Sequence, residues 1–300
     1  MTENRIIDCE AVITEVVKAA MSRTGDPRLK QVMALLVEHA HAFVREANLT
    51  DAELEAGLDF IGRIGQANSD DHNEVILASD VLGISTLVAY RNNPREQGQS
   101  ANALLGPFWR DGSPECRCGD NIARSETPGL ATFVQGQVRD VSGAKIAGAT
   151  VDVWQASPVG LYENQDPHQD SMNLRGRFRT DVEGKYHFRT VRPAGYPVPT
   201  HGPIGELLRA QNRNPYRPAH IHFMVSAPGY KTLITQVFAD NAERLHSDVV
   251  FGVTQPLIGH LEHHKTPMPE YPDAPAEYFT LAYDFVLDRG ERTFPRPPIK

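Results

Sequence analysis

The pattern of hydrophobic and polar positions changes period near residue 100. Before it, residues 9–22 (CEAVITEVVKAAMS) and 29–47 (LKQVMALLVEHAHAFVREA) repeat apolar side chains every three to four positions. That is the spacing of amphipathic helices. Asp26 and Pro27 supply an N-cap and a first-turn proline for the second of these. Thr50 and Glu53 form a capping-box pattern that opens a third helix, expected to run to Gln66. A fourth run over 72–91 carries Val75, Ile76, Leu77, Val81, Leu82, Ile84, Leu87 and Val88 and is expected to be helical as well. Residues 92–130 are loop-like, rich in Pro and Gly.

From residue 131 the apolar positions follow strand patterns. Segments 131–138, 150–156, 176–181, 184–191, 220–227, 232–239 and 278–287 are short and rich in β-branched and aromatic residues, with Gly- and Pro-rich turns between them. No strand is followed by a helix at βαβ spacing, so an antiparallel sandwich is expected. The expected fold class is α+β: a helical domain over 1–100, then a β-sandwich domain over 101–300.

Composition narrows the function. With 40% hydrophobic and 23% charged residues the 300-residue chain matches ordinary soluble proteins. Thirty Lys and Arg against 38 Asp and Glu give a net charge of −8, which argues against nucleic acid or an anionic membrane as partner. No apolar run approaches the roughly 20 residues of a membrane helix. The first five residues lack a secretory pattern, so a cytoplasmic location is expected. Three cysteines, Cys9, Cys116 and Cys118, are too few for a disulfide framework.

The chemistry concentrates in Arg217-Pro218-Ala219-His220-Ile221-His222-Phe223. On a strand, His220 and His222 point to one face and Ile221 and Phe223 to the other. Two imidazoles side by side are half of a metal site. The completing ligands stay open at this stage. A carboxylate would make the two-His-one-carboxylate arrangement of iron(II) oxygenases, although no Asp or Glu stands out. Cys116-Arg117-Cys118 offers a single CxC pair in a loop and fits no zinc ribbon. Tyr162 and Tyr196 each follow a strand, in turns. A phenolate is a hard anionic donor, and a bound cation deprotonates it well below its free pKa of about 10. Two phenolates with two imidazoles would favour iron(III). His260, His263 and His264 are expected in an exposed polar turn running into Pro267 and Pro269, and His39 and His41 as ordinary helix residues. A non-catalytic β-sandwich binding module also remains open.

The stretches LLGPFW (104–109), VDVWQASPVGLYENQD (151–166), GRFRTDVEGKYHFRTVRPAGYPVP (176–199), RPAHIHFMVSAPGY (217–230) and LITQVF (233–238) together resemble the intradiol ring-cleavage dioxygenases, in the branch that cleaves catechol and hydroxyquinol. The resemblance covers nearly the whole chain. It implies one non-haem iron(III) per subunit, held by Tyr162, Tyr196, His220 and His222. The diol would chelate the metal as Tyr196 leaves it and accepts a proton. O2 would then attack the ring, and the ring would open to a dicarboxylic acid. Arg217 matches the family's charge-stabilising arginine, and Gln236 a glutamine beside the reacting centre. Leu77 and Asp80 align with pocket-lining positions, with Leu104, Leu105, Gly106, Pro107 and Phe251 as further walls. The loop between Tyr196 and His220 looks more like hydroxyquinol than catechol enzymes. The expected substrates are therefore hydroxyquinol and O2, with catechol and chlorocatechols as alternatives. The helical front part resembles the family's dimer-forming domain, implying a homodimer whose interface could hold a lipid.

Overall fold

The computed structural model describes residues 6–70, 72–267 and 275–299, so Pro269 lies outside the described residues. The chain forms two compact units, residues 1–62 and 63–300. In the first, a single helical turn (Glu10–Val12) leads into α1 (Ile13–Ala20), followed by α2 (Pro27–Glu46) and the start of α3 (Asp51–Gln66). The caps form as their residue types demand. Asp26 accepts from the N–H groups of Arg28 at 2.8 Å and Leu29 at 3.2 Å. Thr50 and Glu53 cap each other reciprocally, the Thr50 N–H donating to the Glu53 carboxylate at 2.9 Å. Polar contacts join α2 to α1 and the turn before it: Thr14 pairs with His41, and Arg45 donates to Glu10 and Thr14. Leu29, Val32, Leu36 and Phe43 of α2 are exposed. At 100° per residue these four fall in one stripe of the helix.

In the second unit the fourth apolar run is two helices, α4 (Glu74–Val81) and α5 (Ile84–Asn92). Gly83 breaks the run with φ +72, a conformation that strains any residue with a side chain. A Cβ there would lie 3.4 Å from the Phe251 ring.

Two five-stranded sheets follow. One contains β1 (Ala131–Asp140), β4 (Lys185–Val191), β10 (Leu261–His264), β11 (Tyr278–Ala282) and β12 (Phe285–Leu287). The other runs β3 (Arg175–Arg179), β2 (Thr150–Trp154), β7 (His220–Ser226), β8 (Leu233–Ala239), β9 (Ile258–Gly259). Antiparallel pairing dominates, but β1 runs parallel to β11 and β12, and β8 to β9. The expected strand 278–287 is interrupted at Tyr283–Asp284. There the Tyr283 carbonyl comes so close to β1 that a Cβ on Gly136 would lie 1.8 Å from its oxygen.

Val134, Phe188 and Phe279 of the first sheet share one buried cluster with Val151, Phe178, Ile221 and Phe223 of the second. The sandwich core is therefore built by the period-2 alternation of both sheets. A short ribbon pairs β5 (Tyr196–Pro197) with β6 (Tyr216–Arg217), and α6 (Pro203–Ala210) lies between them in sequence. The histidines expected in a turn lie on and beside strand β10 instead. His263 stacks on Phe279 and His264 on Tyr278, while His260 pairs with Asp240.

Candidate active site

All seven residues of β7 are buried. Ile221, Phe223 and Val225 enter the sandwich core, so His220, His222 and Met224 face the opposite side of the sheet. There a second cluster of Phe108, Trp109, Trp154, Tyr162, Tyr196 and Met224 encloses them. Register sets the neighbours: His222 lies opposite Trp154 on β2 and Gln236 on β8. The His222 ring stacks on Trp154 at 4.7 Å and 10°. Tyr162 sits at the entry of the single helical turn Glu163–Gln165, whose Gln165 side chain accepts from the Tyr162 N–H at 3.1 Å. Tyr196 opens β5 opposite Arg217, which stands three residues before His220. The close approach of the two ribbon strands explains Gly195, where a Cβ would lie 2.7 Å from the Arg217 carbonyl oxygen.

Four donor atoms converge in pairs. The hydroxyl oxygens of Tyr162 and Tyr196 are 3.4 Å apart, and the Nε2 atoms of His220 and His222 are 3.1 Å apart. Ligands about 2.1 Å from one ion are separated by about 3.0 Å at a right angle and about 3.4 Å at a tetrahedral angle. Both separations thus suit adjacent ligands of one metal. His220 Nδ1 donates to the Pro218 carbonyl at 2.7 Å, which leaves its Nε2 as the lone pair. Burial, helped by Arg217, holds His220 well below the ordinary imidazole range; burial, with His220 and Arg217, does the same to His222. Both are neutral, as ligands must be. Burial, reinforced by Tyr196, pushes the Tyr162 phenol well above its ordinary range, so its ionisation there requires a cation. Among the described residues no three His, Cys, Asp or Glu side chains converge as a metal site, so the two-His-one-carboxylate alternative lacks its carboxylate there.

Arg217 is the hub of the polar network. It donates to Asp248 through Nε and Nη2 at 3.2 and 3.3 Å, and to the Gln236 amide oxygen at 2.7 Å. Gln236 in turn donates to the Leu104 carbonyl at 2.6 Å. Burial opposes the Arg217 charge, but Asp248 and the two tyrosines outweigh it and raise the pKa above the usual arginine value. A small, narrow cavity of about 20 Å³ adjoins this network. Leu77, Pro107, Phe108, Val198, Pro199 and Val250 form its apolar lining, and Asp80, His72, Asn73, Tyr196 and Arg217 its polar points. Tyr196 borders the cavity, whereas Tyr162 lies behind it, stacked on Phe108 at 4.4 Å.

Several expected wall residues lie elsewhere. Leu104 offers its carbonyl to Gln236, Leu105 packs into the aromatic cluster, and a Cβ on Gly106 would meet the His222 ring at 3.2 Å. Phe251 is half exposed against Gly83 and Arg213 and does not line the cavity, where Val250 stands instead. Sequence reasoning passed over Asp248, Phe108, Trp154 and His72. Phe108 and Trp154 lay within matched stretches, but nothing around Asp248 marks it.

These features define an oxygenase of the intradiol class, and the chain belongs to that family. The family model "Dioxygenase" matches residues 105–289 and "Catechol dioxygenase N terminus" matches 26–100. The chain is 42% identical to a 6-chlorohydroxyquinol 1,2-dioxygenase of Cupriavidus pinatubonensis, over 82% of this chain and 89% of that protein. It is equally, 42%, identical to a catechol 1,2-dioxygenase of Candida albicans, over 83% of each. A crystal structure of hydroxyquinol 1,2-dioxygenase from Pseudomonas putida DLL-E4 superposes with a TM-score of 0.87 at 39% identity, covering 94% of this chain and 99% of that one.

Proposed function

We propose that the protein cleaves hydroxyquinol, benzene-1,2,4-triol, with O2 between its two adjacent hydroxyl-bearing carbons. The product is 3-hydroxy-cis,cis-muconate, which tautomerises to maleylacetate. Tyr162, Tyr196, His220 and His222 hold one iron(III). When bound, that ion supplies a Lewis acid and a template for the two adjacent ring oxygens. The residues around it do the rest. Tyr196, the tyrosine bordering the cavity, takes the proton of a substrate hydroxyl on its phenolate oxygen and becomes a neutral phenol. Arg217, clamped by Asp248 and Gln236, presents a permanent cation to the negative charge that develops on the ring. Phe108, Leu77 and Val198 hold the ring in an apolar slot and exclude water.

Asp80 carries the choice of substrate. It is a carboxylate buried in the cavity wall, with its pKa raised to about 6 chiefly by burial. At neutral pH it is mostly ionised and accepts the hydrogen bond of a third ring hydroxyl. A substrate without that hydroxyl leaves the acceptor unpaired. Catechol is the second reading, favoured by the equal identity to a catechol enzyme. Product analysis by mass spectrometry after incubation with hydroxyquinol tests the proposal. A linear dicarboxylate cleaved between the hydroxyls supports it; a product cleaved outside them contradicts it.

The exposed stripe of Leu29, Val32, Leu36 and Phe43 on α2 supports a homodimer formed through the N-terminal helices. A lipid in that interface would extend the same apolar burial.

A further inference from the structure

Beside Tyr162 lies a buried charge cluster that the reaction above does not use. The Glu163 carboxylate, 1% exposed, accepts from Arg175 Nε at 2.8 Å and from Arg110 at 2.9 Å through the same oxygen. Arg175 is fully buried, and among the described residues neither of its Nη atoms has a hydrogen-bond partner. Its guanidinium carbon stands 6.0 Å from the centroid of the Tyr162 ring, at the limit of cation–π contact. Two guanidiniums share one carboxylate, so this cluster carries one spare positive charge. Arg110 is partly solvated, with 22% of its side chain exposed. The spare charge therefore acts through Arg175. Glu163 pairs with Arg175 through Nε only, and the aromatic face that its guanidinium meets belongs to Tyr162.

We infer that Arg175 is a positioning residue for the metal site, its charge, only partly neutralised by a carboxylate shared with Arg110, facing the Tyr162 ring and weakening electron donation from the Tyr162 oxygen to a bound ferric ion. The inference rests on the assignment of Tyr162 as a ligand. Glu163 sets the strength of the effect by neutralising one of the two arginines. A positive field stabilises the phenolate electrons, so it raises the energy of their transfer to the metal and moves the visible absorption band to shorter wavelength.

The test is the position of that band, per bound iron and without substrate, in the iron-loaded wild type and in R175M, R175K and E163Q. Circular dichroism confirms folding. The expected shifts have opposite signs: R175M to longer wavelength, E163Q to shorter, with R175K close to wild type. Shifts of R175M and E163Q in the same direction, or none in either with iron retained, would overturn the inference, because loosened packing has no reason to give opposite signs. If R175M does not fold, R110Q replaces it, with a smaller shift to longer wavelength expected and no shift overturning. An iron-loaded wild type with no visible band overturns the ligand assignment itself, whatever the variants do.

Discussion

Asp80 costs the protein stability, and the cost depends on pH in a way the structure specifies. The residue is 4% exposed, near the C-terminal end of α4. Burial is the largest influence on its carboxyl and raises the pKa. A hydrogen bond from Ser85 and the charge of Arg217 pull it back, Asp248 pushes it further, and the result moves from 3.8 to about 6. A shift of that size corresponds to roughly 3 kcal/mol. The folded pKa lies above the unfolded one, so between about pH 4 and 6 the native state keeps a proton that the unfolded chain releases. Stability accordingly falls as pH rises through this window, and the full penalty persists above it. Asp80→Asn keeps the shape and an acceptor for Ser85 while removing the charge. Melting of metal-free wild type and variant from pH 4 to 8 isolates the effect from a bound cation. The two should nearly coincide at pH 4 and diverge through pH 6. At pH 7.5 the variant should be ahead by about 3 kcal/mol, roughly 6–12 °C in Tm for a unit of this size. A pH-independent offset, or a variant less stable at pH 7.5, would refute the reasoning.

Other outcomes follow from the same geometry. Asp80→Leu should lower kcat/KM for hydroxyquinol by roughly 10–100-fold through the lost hydrogen bond and raise it for catechol, which no longer leaves a buried acceptor unpaired; equal losses for both substrates would remove Asp80 from specificity. Asp248→Asn leaves the buried Arg217 without its counter-charge and should destabilise the protein by roughly 3–5 kcal/mol, read as a fall in Tm together with loss of turnover. Pairing Leu36→Glu with Phe43→Glu places two charges in the exposed stripe of α2. Sedimentation should then show monomers, with the secondary structure intact; an unchanged dimer would place the interface elsewhere.

Much of this was legible in the chain because alternation is a local signal. The segment 217–223 displayed its two faces directly, and β7 carries His220 and His222 on one of them, as a strand must. The caps at Asp26 and Thr50 were equally visible, since their partners lie within three residues. What was hidden depends on distant partners. Gly83 divides an apolar run that reads as one helix, its left-handed backbone (φ +72) ending one helix and opening the next. Helix α6 lies in a loop-like stretch, although Pro203 at its start and Ile204, Leu207 and Leu208 after it were an available clue. Asp248 is ordinary in its own segment and gains its role only because the fold brings it to Arg217, 31 residues away. Of the expected pocket walls, Phe251 is half exposed while its neighbour Val250 lines the cavity, a difference of one residue that local patterning does not resolve.

Oxygen consumption by the purified, iron-loaded protein, with hydroxyquinol and catechol run in parallel and corrected for autoxidation, tests the proposed chemistry most directly. The expected result is one O2 consumed per hydroxyquinol cleaved, with a clearly higher kcat/KM than for catechol. Faster uptake with catechol would contradict the role given to Asp80, and no uptake with either substrate would contradict the catalytic assignment of the Tyr162, Tyr196, His220 and His222 site.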